Sequence, residues 1–180
     1  MKEELRKKYI KLRKDILDRK EKESKIFNSI ISLDNYIKAQ TIGLYCANTY
    51  EVNLDYLIEY SLKNNKRIGI PTVIDNHNMK FNEIKSLDEI NNINIYSIRE
   101  ALNNNIINPN MFDLIIVPGI CFDKYKNRIG YGKGYYDNYL RNLSCFKVGV
   151  CFYEQVVNKI DSDSFDIQLD NIITDKILIR

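Results

Sequence analysis

The chain has 180 residues, of which 44% are hydrophobic and 28% charged, and this composition excludes the disordered and fibrous classes of protein. Its net charge of +3 is too small to indicate a nucleic-acid-binding surface. No apolar run approaches the roughly 20 residues of a membrane helix and the first residues lack an apolar signal core, so we expect a cytoplasmic protein with neither nucleic-acid nor membrane partners.

The length suits a single domain over residues 1–180. The cysteines are scattered without CxxC spacing, which predicts reduced thiols with structural roles instead of a zinc or redox motif. We expect the protein to be a monomer.

A basic amphipathic helix is predicted over residues 3–20. The apolar residues that recur at helical spacing there are Leu5, Tyr9, Leu12 and Ile16. Most of the lysines between them are interpreted as a solvated face. Lys2 and Arg6 differ, because they lie four positions apart and project from one side of the first turn. Helix N-termini disfavour cations, so this pair indicates an anionic ligand such as a phosphate.

A second helix is predicted over residues 25–36, followed by a buried strand over residues 41–46. Asn53 can then cap a helix whose apolar side faces the sheet. Glu51 lies in the loop after the strand, and in open α/β sheets ligands bind beyond the carboxyl ends of strands. As an isolated loop residue, Glu51 is equally typical of a solvated surface.

Two more strands are predicted over residues 66–73 and 79–84, and Pro71 indicates that regular pairing of the first one ends there. His77, the only histidine, lies in a polar turn without metal-ligand neighbours and is assigned no function. Residues 85–112 carry no clear pattern.

The central stretch, residues 113–140, carries the strongest chemical signal. The apolar run Leu114 to Val117 predicts a buried strand that stops at Pro118 and Gly119. A glycine-rich loop and a helix over residues 135–143 follow. The loop residues Arg128, Gly130, Gly132, Lys133 and Gly134 lie within seven positions. Glycines allow backbone N–H groups to face an anion, so the loop predicts a phosphate site, although it matches neither Walker A nor the dinucleotide fingerprint.

Strands over residues 147–152 and 171–174 complete the pattern, with an acidic, Ser-containing segment between them that is typical of a solvated loop. The alternation of strands and crossover helices predicts an α/β fold: a single-domain three-layer sandwich, with a mostly parallel sheet flanked by helices on both faces.

Taken together, RIGYGKGYYD and the VPGICFD upstream of it resemble the signature of the 5-formyltetrahydrofolate cyclo-ligase family, also called methenyltetrahydrofolate synthetases. The KxxxR pair at Lys2 and Arg6, the acidic Glu51 and the closing SFDIQLDNIITD fall in the family's order. The resemblance covers essentially the whole chain. One departure is Ala101, which replaces a proline of the family after Arg99 and Glu100, and these two residues are left without a site role.

The resemblance implies roles for fifteen residues. The residues implied to bind ATP are Lys2, Arg6, Arg128, Ile129, Gly130, Tyr131, Gly132, Lys133, Gly134, Tyr135 and Tyr136. The residues implied to bind the folate are Cys46, Glu51, Tyr131, Gly132, Lys133, Gly134 and Tyr135. Arg128 and Lys133 would be catalytic, and Asp137 and Asp166 would bind Mg²⁺. Met79 and Phe81 are equally consistent with pterin contact and with core packing.

The implied reaction uses ATP as co-substrate and small molecules as the only partners. The γ-phosphoryl group of ATP activates the formyl oxygen of 5-formyltetrahydrofolate, N10 attacks, and 5,10-methenyltetrahydrofolate, ADP and phosphate are formed. Two alternatives stay open. One is an ATP-dependent ligase or kinase of the same fold with a different formyl or amide-like substrate, and the other is a nucleotide-binding regulatory module without catalysis.

Overall fold

A seven-stranded sheet forms the centre of the computed structural model, which describes residues 2–180. The strands, in chain order, are β1 (Thr41–Gly43), β2 (Arg67–Val73), β3 (Met79–Ile84), β4 (Asn92–Ile93), β5 (Arg99–Glu100), β6 (Leu114–Val117), β7 (Cys121–Asp123), β8 (Arg128–Ile129), β9 (Phe146–Val150), β10 (Val156–Val157), β11 (Asn171–Ile173) and β12 (Leu178–Ile179). The large sheet has the order β12-β11-β9-β6-β1-β2-β3. Its inner pairs are parallel and its two outer pairs, β12 with β11 and β2 with β3, are antiparallel.

Helices cover both faces of this sheet. They are α1 (Lys2–Leu12), α2 (Arg19–Ile31), α3 (Asp34–Lys38), α4 (Asp55–Lys63) and α5 (Tyr135–Leu140). The fully buried strand β6 separates the layers, because successive side chains of a strand point to opposite faces. Leu114 and Ile116 pack in the cluster that contains residues of α2, α3 and α4, whereas Ile115 and Val117 pack in the cluster that contains Leu140 of α5. The predicted three-layer α/β sandwich is therefore confirmed.

A smaller sheet, with the order β10-β7-β8, carries the glycine-rich loop. Helix α1 packs on it through a third buried cluster, in which Tyr9 joins Cys121 of β7 and Ile129 of β8. This packing holds the first turn of α1 beside the loop that follows β8. The strands β7 and β8 pair as a hairpin inside a segment that the sequence predicted to be loop.

The predicted first helix is wrong in length. Helix α1 ends at Leu12, a short 3₁₀ turn covers Arg13–Asp15, and Ile16 is extended with φ −68° and ψ 121°. The side chain of Ile16 is buried in the main core, so the chain leaves the helix to place it there. The predicted second helix, over residues 25–36, is wrong in its bounds. The structure has two helices there, because α2 ends at Ile31 and α3 begins at Asp34.

The prediction that strand pairing ends at Pro71 is wrong. The pairing of β2 with β3 continues through Pro71, opposite Phe81, to Val73. On its other side, β2 pairs with β1 only as far as Gly69. Pro71 lies beyond the end of β1, so its missing N–H costs the sheet no hydrogen bond. Within residues 2–180, no helix has the length and apolar character needed to cross a membrane.

Candidate active site

A cavity of about 690 Å³ lies beyond the carboxyl end of β1, a volume typical of small-molecule sites. Its walls come from the first turn of α1, the loop after β1, the glycine-rich loop with the start of α5, and the segment around residue 165. All fifteen residues to which the sequence assigned a site role line this one cavity. They are Lys2, Arg6, Cys46, Glu51, Arg128, Ile129, Gly130, Tyr131, Gly132, Lys133, Gly134, Tyr135, Tyr136, Asp137 and Asp166.

The glycine-rich loop needs glycine for two different physical reasons. Gly132 has φ +90°, a conformation that residues with a Cβ adopt only with strain. At Gly130 a Cβ would lie 2.9 Å from Nη1 of Arg128, so the buried guanidinium would have to shift from its ion pair. The loop is therefore shaped both by its own backbone and by the guanidinium that passes beside it.

Arg128 forms a largely buried ion pair at the base of the loop. Its Nη2 donates to Oδ2 of Asp137 at 2.9 Å, and its Nη1 donates to the carbonyl of Pro118 at 3.3 Å. The two side chains are 6% and 21% exposed, so both charges are mostly removed from water. The guanidinium carbon also lies 5.6 Å from the ring centroid of Tyr136. These contacts fix the position of the Arg128 charge before any ligand binds.

Lys133 presents the opposite situation at the tip of the loop. Its side chain is exposed, and its ammonium lies 5.7 Å from the ring centroid of Tyr96 on the other side of the cavity. Among the described residues it forms no ion pair and no side-chain hydrogen bond. Lys133 therefore has its donors available for an anionic ligand.

The first turn of α1 is fastened to the other walls. Lys2 forms ion pairs with Asp163 and Asp166, and Arg6 donates from Nε to the carbonyl of Gly130 at 2.9 Å. Burial lowers the pKa of Lys2, but the hydrogen bonds and charges of the two aspartates raise it above its ordinary value overall. The sequence led us to expect a phosphate to offset these cations, and in the structure carboxylates already do so, because Glu3 also pairs with Arg6.

Two aspartates from distant segments, Asp137 and Asp166, line this cavity. Oδ1 of Asp137 accepts a hydrogen bond from the backbone N–H of Ile167 at 3.0 Å, which brings the neighbouring Asp166 to the same wall. Both carboxylates line the cavity, and hard oxygen donors of this kind suit Mg²⁺, which is commonly held by one or two carboxylates with phosphate and water. Across residues 2–180, no cluster of three or more His, Cys, Asp or Glu side chains could hold a metal. Asp137 and Asp166 are the candidate ligands, and each is paired with a cation here, Asp137 with Arg128 and Asp166 with Lys2.

Glu51 also lines the cavity, and it is buried, with 8% of the residue exposed. Its Oε2 accepts from the backbone N–H of Asn48 at 2.9 Å, and its Oε1 accepts from the hydroxyl of Tyr131 at 3.0 Å. Burial raises the pKa of Glu51, while the Asn48 N–H, the Arg13 charge and the Tyr131 hydroxyl lower it. The carboxylate is consequently held in place by donors on its protein side.

Cys46 and the tyrosines after Gly134 complete the apolar part of the lining. Burial raises the pKa of Cys46 to about 12, so its thiol is neutral and serves as a small apolar surface. Burial likewise raises the pKa of Tyr136 well above its ordinary range. All cysteines are free and buried, as the sequence predicted.

Comparison with known proteins decides the family. The family model described as the 5-formyltetrahydrofolate cyclo-ligase family matches residues 1–175. The chain belongs to the 5-formyltetrahydrofolate cyclo-ligase family. It is 31% identical over 172 residues to a probable 5-formyltetrahydrofolate cyclo-ligase of Schizosaccharomyces pombe, an alignment that covers 86% of this chain and 84% of that protein.

Solved structures of cyclo-ligase relatives have the same fold. The NMR structure of the 5,10-methenyltetrahydrofolate synthetase of Aquifex aeolicus superposes with a TM-score of 0.87 at 32% identity, covering 99% of this chain and 92% of that chain. The synthetase of Mycoplasma pneumoniae superposes with a TM-score of 0.80 at 28% identity, covering 97% and 99%.

Several cavity residues of this cyclo-ligase family member escaped the sequence analysis. Glu100, which was left out of the site, lines the cavity and is buried, with Oε1 accepting from the backbone N–H of Val73 at 2.9 Å. Tyr96 and Asn48 also line it. Of the two residues with open interpretations, Met79 lines the cavity, whereas Phe81 is fully buried in the core. No local signal marks Tyr96 and Glu100, because contacts with distant residues, such as the Glu100 hydrogen bond to Val73, place the segment 92–100 at the cavity.

Proposed function

We propose that this protein catalyses the ATP- and Mg²⁺-dependent conversion of 5-formyltetrahydrofolate to 5,10-methenyltetrahydrofolate, with release of ADP and phosphate. The protein would act as one cyclo-ligase domain over residues 1–180. The observation that carries the proposal is that a cation-rich glycine loop and the buried Glu51 pocket face one cavity. The reaction requires this proximity, because a phosphoryl group must pass from one substrate to the other. Relatives that bear the names cyclo-ligase and methenyltetrahydrofolate synthetase give further support.

The chemistry begins with a poor leaving group, the formyl oxygen of the folate. Transfer of the γ-phosphoryl group from ATP to that oxygen releases ADP and makes the oxygen a good leaving group. N10 of the folate then attacks the activated carbon, its proton is lost, and phosphate departs as the ring closes. In phosphoryl transfer a protein contributes position and charge more than covalent chemistry.

Arg128 and Lys133 would stabilise the phosphate charge in different ways. Arg128 is locked by Asp137 and Pro118, so it offers a charge that needs no reorganisation during the reaction. Lys133 is exposed at the loop tip and can follow the γ-phosphoryl group. Lys2, Arg6 and the backbone N–H groups of the loop would hold the rest of the triphosphate. Asp137 and Asp166 would hold Mg²⁺, which when bound neutralises charge on the phosphate oxygens.

Glu51 would recognise the pterin. A pterin presents N–H donors along one edge, and a carboxylate accepts such hydrogen bonds strongly. Cys46 offers an uncharged surface beside it, and Tyr131 and Tyr135 lie where the glycine loop would meet the folate. The presence of this pocket favours the folate over other formyl or amide-like substrates.

The decisive experiment follows ATP hydrolysis with and without 5-formyltetrahydrofolate, together with the absorbance of the methenyl product. We expect phosphate release that depends on the folate and equals the product formed. ATP binding without folate-dependent phosphate release would support the regulatory module instead. Phosphate release with another formyl or amide-like substrate, but without methenyl product from the folate, would support the alternative ligase or kinase.

A further inference from the structure

Arg13 is a buried charged residue to which no role has been assigned. It lies in the turn after α1 and is 2% exposed. Its Nε and Nη1 have no hydrogen-bond partner among the described residues, and its Nη2 donates to the hydroxyl of Tyr131 at 3.0 Å. Burying a guanidinium costs free energy unless the group is paired and fully hydrogen-bonded. A buried arginine whose one side-chain hydrogen bond goes to a cavity residue therefore needs an explanation.

The contact fixes the direction of the Tyr131 hydroxyl group. Its oxygen accepts from Arg13 and from the side-chain amide of Asn48, and neither of these groups can accept a proton in return. The Asn48 amide is oriented by the backbone N–H of Tyr50, which donates to Oδ1 at 3.1 Å. With both acceptor positions of the hydroxyl oxygen filled, its single O–H must donate to Glu51, whose Oε1 lies 3.0 Å away.

The Tyr131 proton is also retained at physiological pH. Burial, followed by the nearby Glu51 carboxylate, raises the pKa of Tyr131 to about 12. The other groups that face Glu51 are the buried hydroxyl groups of Tyr45 and Tyr136 and the guanidinium of Arg19, which donates to the Glu51 backbone carbonyl at 3.2 Å. Of the two arginines, only Arg13 hydrogen-bonds the tyrosine that binds the Glu51 carboxylate.

We propose that Arg13 is a positioning residue that acts through Tyr131 to hold the Glu51 carboxylate in the orientation that binds the folate. Arg13 donates to the tyrosine oxygen, the tyrosine O–H donates to Oε1, and the free lone pairs of the carboxylate face the cavity. The inference rests on the proposed function, because it assumes that Glu51 binds the folate substrate. It adds a residue outside the cavity lining that tunes affinity for one of the two substrates.

A double-mutant cycle tests whether Arg13 acts through Tyr131. The variants are R13M, Y131F and the double variant, with R67M as the control, because Arg67 is an arginine that pairs with Glu83 and does not line the cavity. We expect R13M to raise the KM for 5-formyltetrahydrofolate by about tenfold, the size of one hydrogen bond to a charged group. The KM for ATP should change less than twofold.

The cycle should be non-additive, because the Y131F variant lacks the hydroxyl that Arg13 orients. The double variant should therefore show the folate KM of Y131F, and R67M should match the wild type. An R13M effect of the same factor in both backgrounds would overturn the proposal, as would equal increases in the KM of both substrates. If R13M does not fold, R13L supplies the same cycle, since it also removes the hydrogen-bond donor.

E51Q separates this inference from the proposed function. A raised folate KM in E51Q together with an unchanged KM in R13M would refute the role of Arg13 alone. An unchanged folate KM in E51Q would refute the role of Glu51 in binding the folate, and the inference about Arg13 with it.

Discussion

Replacing Lys133 by alanine should separate an effect on catalysis from an effect on folding. Lys133 is exposed, and its contact within the described structure is the Tyr96 ring, 5.7 Å from the ammonium. An exposed cation–π contact contributes about 0.5–1 kcal/mol, which is the most that K133A should remove from the free energy of unfolding. For a chain of this size, such a loss lowers Tm by only about 2–4 °C.

The expected effect on turnover is much larger. Removing one hydrogen-bond donor from a developing charge typically lowers kcat by about 10²–10³-fold. Lys133 forms no ion pair within residues 2–180, so its charge is available to the transferred phosphoryl group. The assay follows methenyltetrahydrofolate absorbance at saturating ATP and folate, with thermal unfolding measured in parallel. Lys124 provides a matched control, because it is also an exposed lysine over a tyrosine ring, at 5.2 Å from Tyr125, and lies outside the cavity lining. Near-normal turnover of a folded K133A, or an equal loss in K124A, would refute the role of Lys133.

Three further predictions concern the other walls of the cavity. D137A should raise the Mg²⁺ concentration needed for half-maximal activity, and an unchanged magnesium titration would remove Asp137 from the metal site. Burial raises the pKa of Glu51, and only its carboxylate form accepts pterin N–H groups. As the pH decreases, kcat/KM for the folate should therefore begin to fall at a higher pH than the ordinary pKa of a glutamate would give. An identical pH profile in E51Q would contradict this. G132A should lower the free energy of unfolding by about 1–2 kcal/mol, because φ is +90° there, and urea unfolding without a shift would contradict the strain argument.

The sequence predicted the elements that are locally encoded. The run Leu114 to Val117 was correctly assigned to a buried strand, because four apolar residues bounded by Asp113 and Pro118 have few other uses in an α/β fold. The glycine-rich loop was recognised from composition, and its residues lie together in the cavity because they are consecutive.

The errors arose where distant parts of the chain decide the conformation. The first helix was predicted to continue past Leu12, where it ends, and the burial of Arg13 in the turn that follows was therefore not predicted. The hairpin of β7 and β8 was taken for loop because its turn is polar. Buried Asp123 organises that turn by accepting hydrogen bonds from the backbone N–H groups of Tyr125, Asn127 and the distant Ile160. These hydrogen bonds follow no repeating pattern in the sequence, so the hairpin could not be predicted from it.

The ion pair between Lys2 and Asp166 joins residues 164 positions apart, and it has a consequence for biosynthesis. Most of the parallel sheet can form from earlier residues, but this wall of the cavity is missing until the segment around Asp166 has left the ribosome. Contacts of such high sequence separation form late in folding, because the entropy of closing the intervening loop must be overcome first. A chain cut before residue 163 would keep the glycine loop and Glu51 but would lose both carboxylates that pair with Lys2. The first turn of α1 would then be held by the Arg6 hydrogen bond to Gly130 and by the packing of Tyr9.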